Sequence, residues 1–152
     1  MPTKVKAIPE GYEAVIPYLI VKDGTGAIEF YKEVFDATEI MRYEDNGKIG
    51  HAELKIGQGV FMIADEYPDM GYIGPKPGER PAAGMMVYVE DVDSVVGRAV
   101  AEGATLDRAV EDQFYGDRAG GIVDPFGHRW YIATHIEDLS PEEMEKRAAA
   151  SR

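Results

Sequence analysis

The feature that most limits what this chain can fold into is a pattern written twice. Residues 120–133 read as strand, tight turn, strand. Ile122 and Val123 lead into Asp124-Pro125-Phe126-Gly127, and Trp130, Tyr131 and Ile132 lead away from it. Pro125 suits a turn position needing φ near −65°, and Gly127 one needing positive φ. The flanks are rich in β-formers. About 67 residues upstream the pattern recurs: Ile56, then Gly57-Gln58-Gly59, then Val60 to Ala64. A fixed-period echo points to a duplicated structural unit.

The rest of the chain supports the duplication. Apolar residues around Leu19 form a short strand over 14–21, and Pro17 places it at a sheet edge or bulge. Asp23 opens a turn, and Ile28, Tyr31, Val34 and Phe35 follow at helical spacing. Residues 38–43 suit a strand, and Asp45-Asn46-Gly47 is a hairpin signal. Over 49–56 the sequence alternates, with Ala52, Leu54 and Ile56 on one face and His51, Glu53 and Lys55 on the other. With 60–64 the order is β-α-β-β-β.

From 85 the order begins again. A strand over 85–89 precedes a helical stripe of Val92, Val95, Val96, Ala99 and Val100, with Gly103 a helix-ending residue. Strands are expected over 105–112, 116–123 and 128–133, at offsets of 67 or 68 from the first unit. The expected organisation is a first module over 14–66, a joint over 67–84 and a second module over 85–138. Pro68, Pro75, Pro77 and Pro81, interspersed with Gly71, Gly74, Gly78 and Gly84, leave no regular element in the joint. Residues before 14 suit an arm. Ser140-Pro141-Glu142-Glu143 starts a short polar helix running to 150, on the surface or against a partner chain.

Composition sets bounds. A chain of 152 residues has single-domain length. With no cysteine, disulfides, thiolate metal sites and cysteine nucleophiles are excluded. A formal net charge of −12, with no basic cluster, makes nucleic acid and anionic membrane poor partners. No apolar run reaches membrane-spanning length, and no signal-peptide pattern is present, so a soluble cytoplasmic protein is expected.

Two β-α-β-β-β units ending in Asp124-Pro125-Phe126-Gly127-His128 resemble the vicinal-oxygen-chelate superfamily, which holds glyoxalase I, bleomycin-resistance proteins, fosfomycin-modifying enzymes and extradiol dioxygenases. The phrases from Val15 to Val21, from Ala27 to Tyr31 and from Asp124 to Trp130 are most similar to its PhnB-like branch. The resemblance implies an α+β fold in which two tandem modules build a curved mixed sheet around a cup. It also implies a homodimer.

The superfamily's enzymes hold a divalent ion with four side chains. Two stand early in the first strand of each unit, commonly His or Gln, and two in the last strand, commonly Glu. Here the early positions map to Ile16 and Gly84, and the late ones to Tyr131 and its offset-68 counterpart Ile63. Ile and Gly offer no side-chain donor, and a phenol of pKa ~10 is a reluctant ligand. The resemblance therefore implies a member without the usual metal, and no other cofactor is indicated. His128 and His135 suit turn or surface positions. His51 faces the cup, as a structural residue, a ligand contact or a general acid/base.

Strand parity sends Tyr18, His51, Glu53, Phe61, Met86, Tyr88, Arg118, Arg129 and Tyr131 toward the cup, with Ile20, Ile63, Ile122 and Ala133 beside them. Tyr67, Met70 and Tyr72 in the joint suit a lid, as do Phe114 and Tyr115. Glu53 has Arg118 or Arg129 as a possible partner. Three functions stay open. One is metal-independent binding of an aromatic or cationic small molecule in the cup. The second is an enzyme of the lyase or dioxygenase kind, with a non-standard metal around His51 and Glu53 or with His51 as a metal-free base. The third is a dimerising module without a ligand.

Overall fold

A computed structural model describes residues 4–152, which divide into two units, one ending at Gly74 and the other Pro75–Arg152. The first holds β1 (Tyr18–Val21), α1 (Gly24–Phe35), β2 (Thr38–Asp45), β3 (Lys48–Ile56) and β4 (Gly59–Asp65). The second holds β5 (Met85–Tyr88), α2 (Val92–Ala101), β6 (Thr105–Asp112), β7 (Asp117–Val123), β8 (Arg129–His135) and α3 (Pro141–Ala150). Strands pair into two four-stranded mixed sheets, β1-β4-β3-β2 and β5-β8-β7-β6. In each, the first strand runs parallel to the fourth and the other pairs are antiparallel. The α+β order predicted from the repeat is present in both units.

The local signals explain the boundaries. Asp23 caps α1 by accepting from the Gly26 amide, and Asp91 caps α2 by accepting from that of Ser94. Ser140 accepts from the Glu143 amide at the start of α3, as its sequence predicts. The Asp124–Gly127 turn closes on a Gly127 N–H bond to the Asp124 carbonyl at 3.0 Å, and Gly127 takes φ 95°. The buried Asp124 carboxylate accepts from the Phe126 and His128 amides and from Trp130 Nε1, so the turn is held from within.

Two expectations shift. β1 starts at Tyr18 rather than 14, because Pro17 has no N–H for the ladder, although its carbonyl accepts from the Met62 amide. The joint is not devoid of structure: Pro68–Met70 forms one 3₁₀ turn, and Tyr67 bridges Tyr72. Among the described residues no helix is long and apolar enough to cross a membrane.

Each sheet buries one face under its helix. In the first unit Ile28, Tyr31, Val34 and Phe35 on α1 meet a face that includes Leu19, Val21, Leu54, Phe61 and Ile63. Tyr31 packs edge-on against Phe61, ring centroids 5.4 Å apart. The buried Asp65 carboxylate fastens this layer. It accepts from the Gly24 amide at 2.8 Å, at the start of α1, and from the Ile49 amide at 2.7 Å on β3. In the second unit Thr134 Oγ1 plays the corresponding part, accepting from the Val92 amide and donating to the Val89 carbonyl.

Asp65→Ala leaves two amides without their acceptor and is expected to lower stability by roughly 2–4 kcal/mol in urea unfolding. A loss under about 0.5 kcal/mol would show that Asp65 does not hold helix to sheet.

Candidate functional site

The face of each sheet away from its helix carries the candidate chemistry. In the first unit the register sets Tyr18 beside Met62, Met62 beside Glu53, and Glu53 beside Met41. Paired residues share a face, so these four line the uncovered side. His51 lies two residues from Glu53 on the same side and pairs with Tyr43.

Four polar side chains form one chain across this face. Tyr18 Oη lies 2.7 Å from His51 Nδ1, and His51 Nε2 lies 2.8 Å from Glu53 Oε2. Tyr12, from the N-terminal arm, donates its hydroxyl to the other Glu53 oxygen. Burial opposes charge on Glu53, but the hydrogen bonds from Tyr12 and His51 outweigh it and hold the carboxyl below its usual range. An ionised Glu53 only accepts, so His51 Nε2 carries the proton. In the neutral ring Nδ1 then accepts from Tyr18. Burial, followed by Tyr72 and Glu53, raises the Tyr18 phenol, which keeps its proton at neutral pH. Tyr18 is 46% exposed, so the chain ends on a hydroxyl that a ligand can reach.

Beside this chain lies an open pocket of about 310 Å³. Tyr18, Tyr43, Tyr67 and Tyr72 supply its walls with Met70 and Ala64, Gly50 lies in its lining, and Asp45 adds a carboxylate. Its size falls at the lower end for small-molecule sites. Tyr43 reaches it through a bulge. Asp45 pairs with Lys48 and Glu44 with Ile49, but Tyr43 pairs with His51, so Gly50 is the extra residue. Tyr67, Met70 and Tyr72, expected as a lid, form part of the wall. Neither Tyr43 nor Tyr12 stood out in the sequence. The Asn46-Gly47 turn fixes the hairpin, but nothing in the residue pattern marks the bulge or the fold-back of the arm.

In the second unit Met86, Tyr131 and Gly121 share one row of the uncovered face, and Tyr88, Ala133 and Ala119 the next. The Arg108 guanidinium lies 5.8 Å from the Tyr131 ring centroid. Arg129 donates to the Pro81 carbonyl at 3.2 Å. Tyr88 donates to the buried Asp117, which also meets His135 Nδ1 at 2.8 Å. His135 Nε2 meets Asp138 at the same distance.

Four expected cup residues, Phe61, Ile63, Arg118 and Ile122, face the other way. Phe61 is only 4% exposed and packs on Tyr31 of α1, and Ile63 is fully buried on that same side. The reason is loop length. Paired Lys55 and Val60 are joined by residues 56–59, whereas their counterparts Val123 and Arg129 are joined by the longer 124–128. One residue more reverses parity in the last strand, so Tyr131 corresponds to Met62 and not to Ile63. Arg118 pairs with Thr134 in the ladder, on the helix side. It is held there by Asp93 of α2 at 2.7 and 3.0 Å and by Asp112 at 3.0 Å. Ile122, beside Trp130, is buried on that side too. Glu53 gives its oxygens to Tyr12 and His51.

Residues 14–132 match the family model described as Glyoxalase/Bleomycin resistance protein/Dioxygenase superfamily. The chain belongs to this superfamily. It is 37% identical over 136 residues to the uncharacterized protein Mb0911c of Mycobacterium bovis, covering 87% of this chain and 90% of that protein. TioX from Micromonospora sp. ML1 has a similar structure, with a TM-score of 0.63 and 25% identity, over 84% of this chain and all of that one. A PhnB protein from Bacillus cereus shares the fold at a TM-score of 0.62 and 20% identity, over 80% of this chain and 99% of that one.

The divalent ion held by enzymes of the superfamily does not fit the residues present. At the positions it would use, the first unit has Ile16 and, once parity is corrected, Met62; the second has Gly84 and Tyr131. An alkyl group, a thioether, no side chain and a phenol make a poor donor set for a divalent ion. Among the described residues no three His, Asp or Glu side chains gather to hold a metal. Both ring nitrogens of His51 already have partners.

The Asp117 and Asp138 carboxylates, by their hydrogen bonds, raise His135 above its ordinary 6.5. The charged imidazole therefore stabilises the fold fully below that value, and the contribution fades as pH rises through the raised one. His135→Asn is expected to be less stable than the parent at about pH 5.5, with the gap in urea midpoint closing toward about pH 9. A gap that is constant or widens with pH would contradict the pairing.

Proposed function

We propose that this protein binds a small molecule without a metal, in the manner of the bleomycin-resistance branch of its superfamily, and that the ligand is aromatic or cationic. The observation that carries this reading is the four-tyrosine pocket set beside the Tyr18–His51–Glu53 chain. Aromatic walls offer large contact area and π faces, and one anchored hydroxyl fixes orientation. The reading is also supported by the poor metal donor set.

One observation favours a second reading, metal-free acid/base chemistry. The order hydroxyl, imidazole, carboxylate lets a proton pass from Tyr18 to His51, with Glu53 stabilising the imidazolium.

Calorimetric titration with neutral and cationic aromatic compounds, with and without EDTA, tests the proposal. Saturable binding indifferent to the chelator is expected. Tyr18→Phe should weaken it by roughly tenfold for ligands that use the hydroxyl. Absence of binding by any compound, or binding lost with EDTA and restored by a divalent ion, would overturn it.

A further inference from the structure

The pocket of the first unit has features that select among ligands. Its walls are four tyrosines and Met70, with Asp45 the sole ionisable group of its lining apart from the phenols. Burial, then the carboxylates of Asp45 and Asp65, pushes the Tyr67 phenol up, so that ring stays neutral and Asp45 lies near enough to be felt there. Tyr18 is raised in the same direction. The lining is therefore neutral, electron-rich π faces with one carboxylate. One of these rings already holds a cation: Lys48 Nζ sits 5.0 Å from the Tyr67 centroid, which leaves Tyr18, Tyr43 and Tyr72 for a ligand. The chain's net charge of −12 adds long-range attraction for positive ligands.

We propose that this pocket recognises a small molecule through an alkylated ammonium group, tertiary or quaternary, held against the tyrosine faces with Asp45 as counter-charge. The inference rests on the ligand-binding reading above and narrows it. Ring quadrupoles attract such a cation, and assemblies of aromatic rings are a recurrent solution for it. Alkylation matters because most of the exposed wall is apolar. A primary ammonium is strongly hydrated and would lose water contacts that tyrosine faces do not replace. A methylated head carries the same charge, sheds water readily and presents apolar surface to Tyr43, Tyr72 and Met70. A neutral molecule of equal shape gains the apolar contact only.

Choline and its carbon isostere, 3,3-dimethylbutan-1-ol, differ in charge and share shape, so titrating the full-length protein with each isolates the cation. Saturable binding of choline, at least tenfold tighter than the isostere, is expected. Tyr43→Leu should weaken choline several-fold, whereas Tyr43→Trp, which keeps a π face, should retain it. Asp45→Asn should weaken choline and flatten its salt dependence. Equal binding of the two compounds would overturn the inference while leaving a ligand pocket in place. Binding of neutral aromatic compounds without choline would do the same. Failure of every compound would overturn the inference together with the reading it rests on.

Discussion

Everything in this protein follows from two sheets that each have one covered face. The stripe on α1, led by Ile28, Tyr31 and Val34, must be buried, and the sheet face that buries it can do nothing else. Because side chains alternate along a strand, that decides which residues are left for chemistry. Asp65 and Thr134 hold the arrangement in the two units by taking the amides that open the helices. Different residues solve the same problem at the end of the fourth strand and just before the end of the eighth.

Much of this was legible in the chain. The repeat fixed the element order, and the caps at Asp23, Asp91 and Ser140 marked helix starts. The Asp124–Gly127 turn was readable because proline and glycine have one physical use each there. Parity was readable where turns were equal in length and failed where they were not. The turn between β7 and β8 is one residue longer than that between β3 and β4, so Tyr131 corresponds to Met62, while Phe61 and Ile63 lie under the helix. Arg118 pairs with Thr134 on the helix side; its partner Asp112 is a near neighbour in sequence, but Asp93 stands on α2 and reaches it only through the packing of helix on sheet. Tyr43 depended on a bulge at Gly50, a feature that period-two reasoning does not contain.

The two uncovered faces differ in character. That of the first unit gathers aromatic rings around a hydrogen-bonded line ending at Tyr18. On the second, Arg108 lies over Tyr131, and Tyr88 is tied to Asp117. Duplication thus left two copies of one scaffold with separate chemistry on each. Positions that hold a metal in enzymes of the superfamily carry Ile16, Met62, Gly84 and Tyr131, a poor donor set for a divalent ion. What remains on the first face is a surface suited to holding a molecule by contact area, π faces and one fixed hydroxyl.

The central claim is that a ligand occupies the uncovered face of the first unit. Ring signals of protein carrying 13C-labelled tyrosine, followed by NMR during titration with benzyltrimethylammonium, test it most directly. The account predicts that Tyr18, Tyr43, Tyr67 and Tyr72 shift together while Tyr31, buried beneath α1, stays unmoved. Shifts confined to Tyr88 and Tyr131, or no shift at saturating concentration, would contradict it.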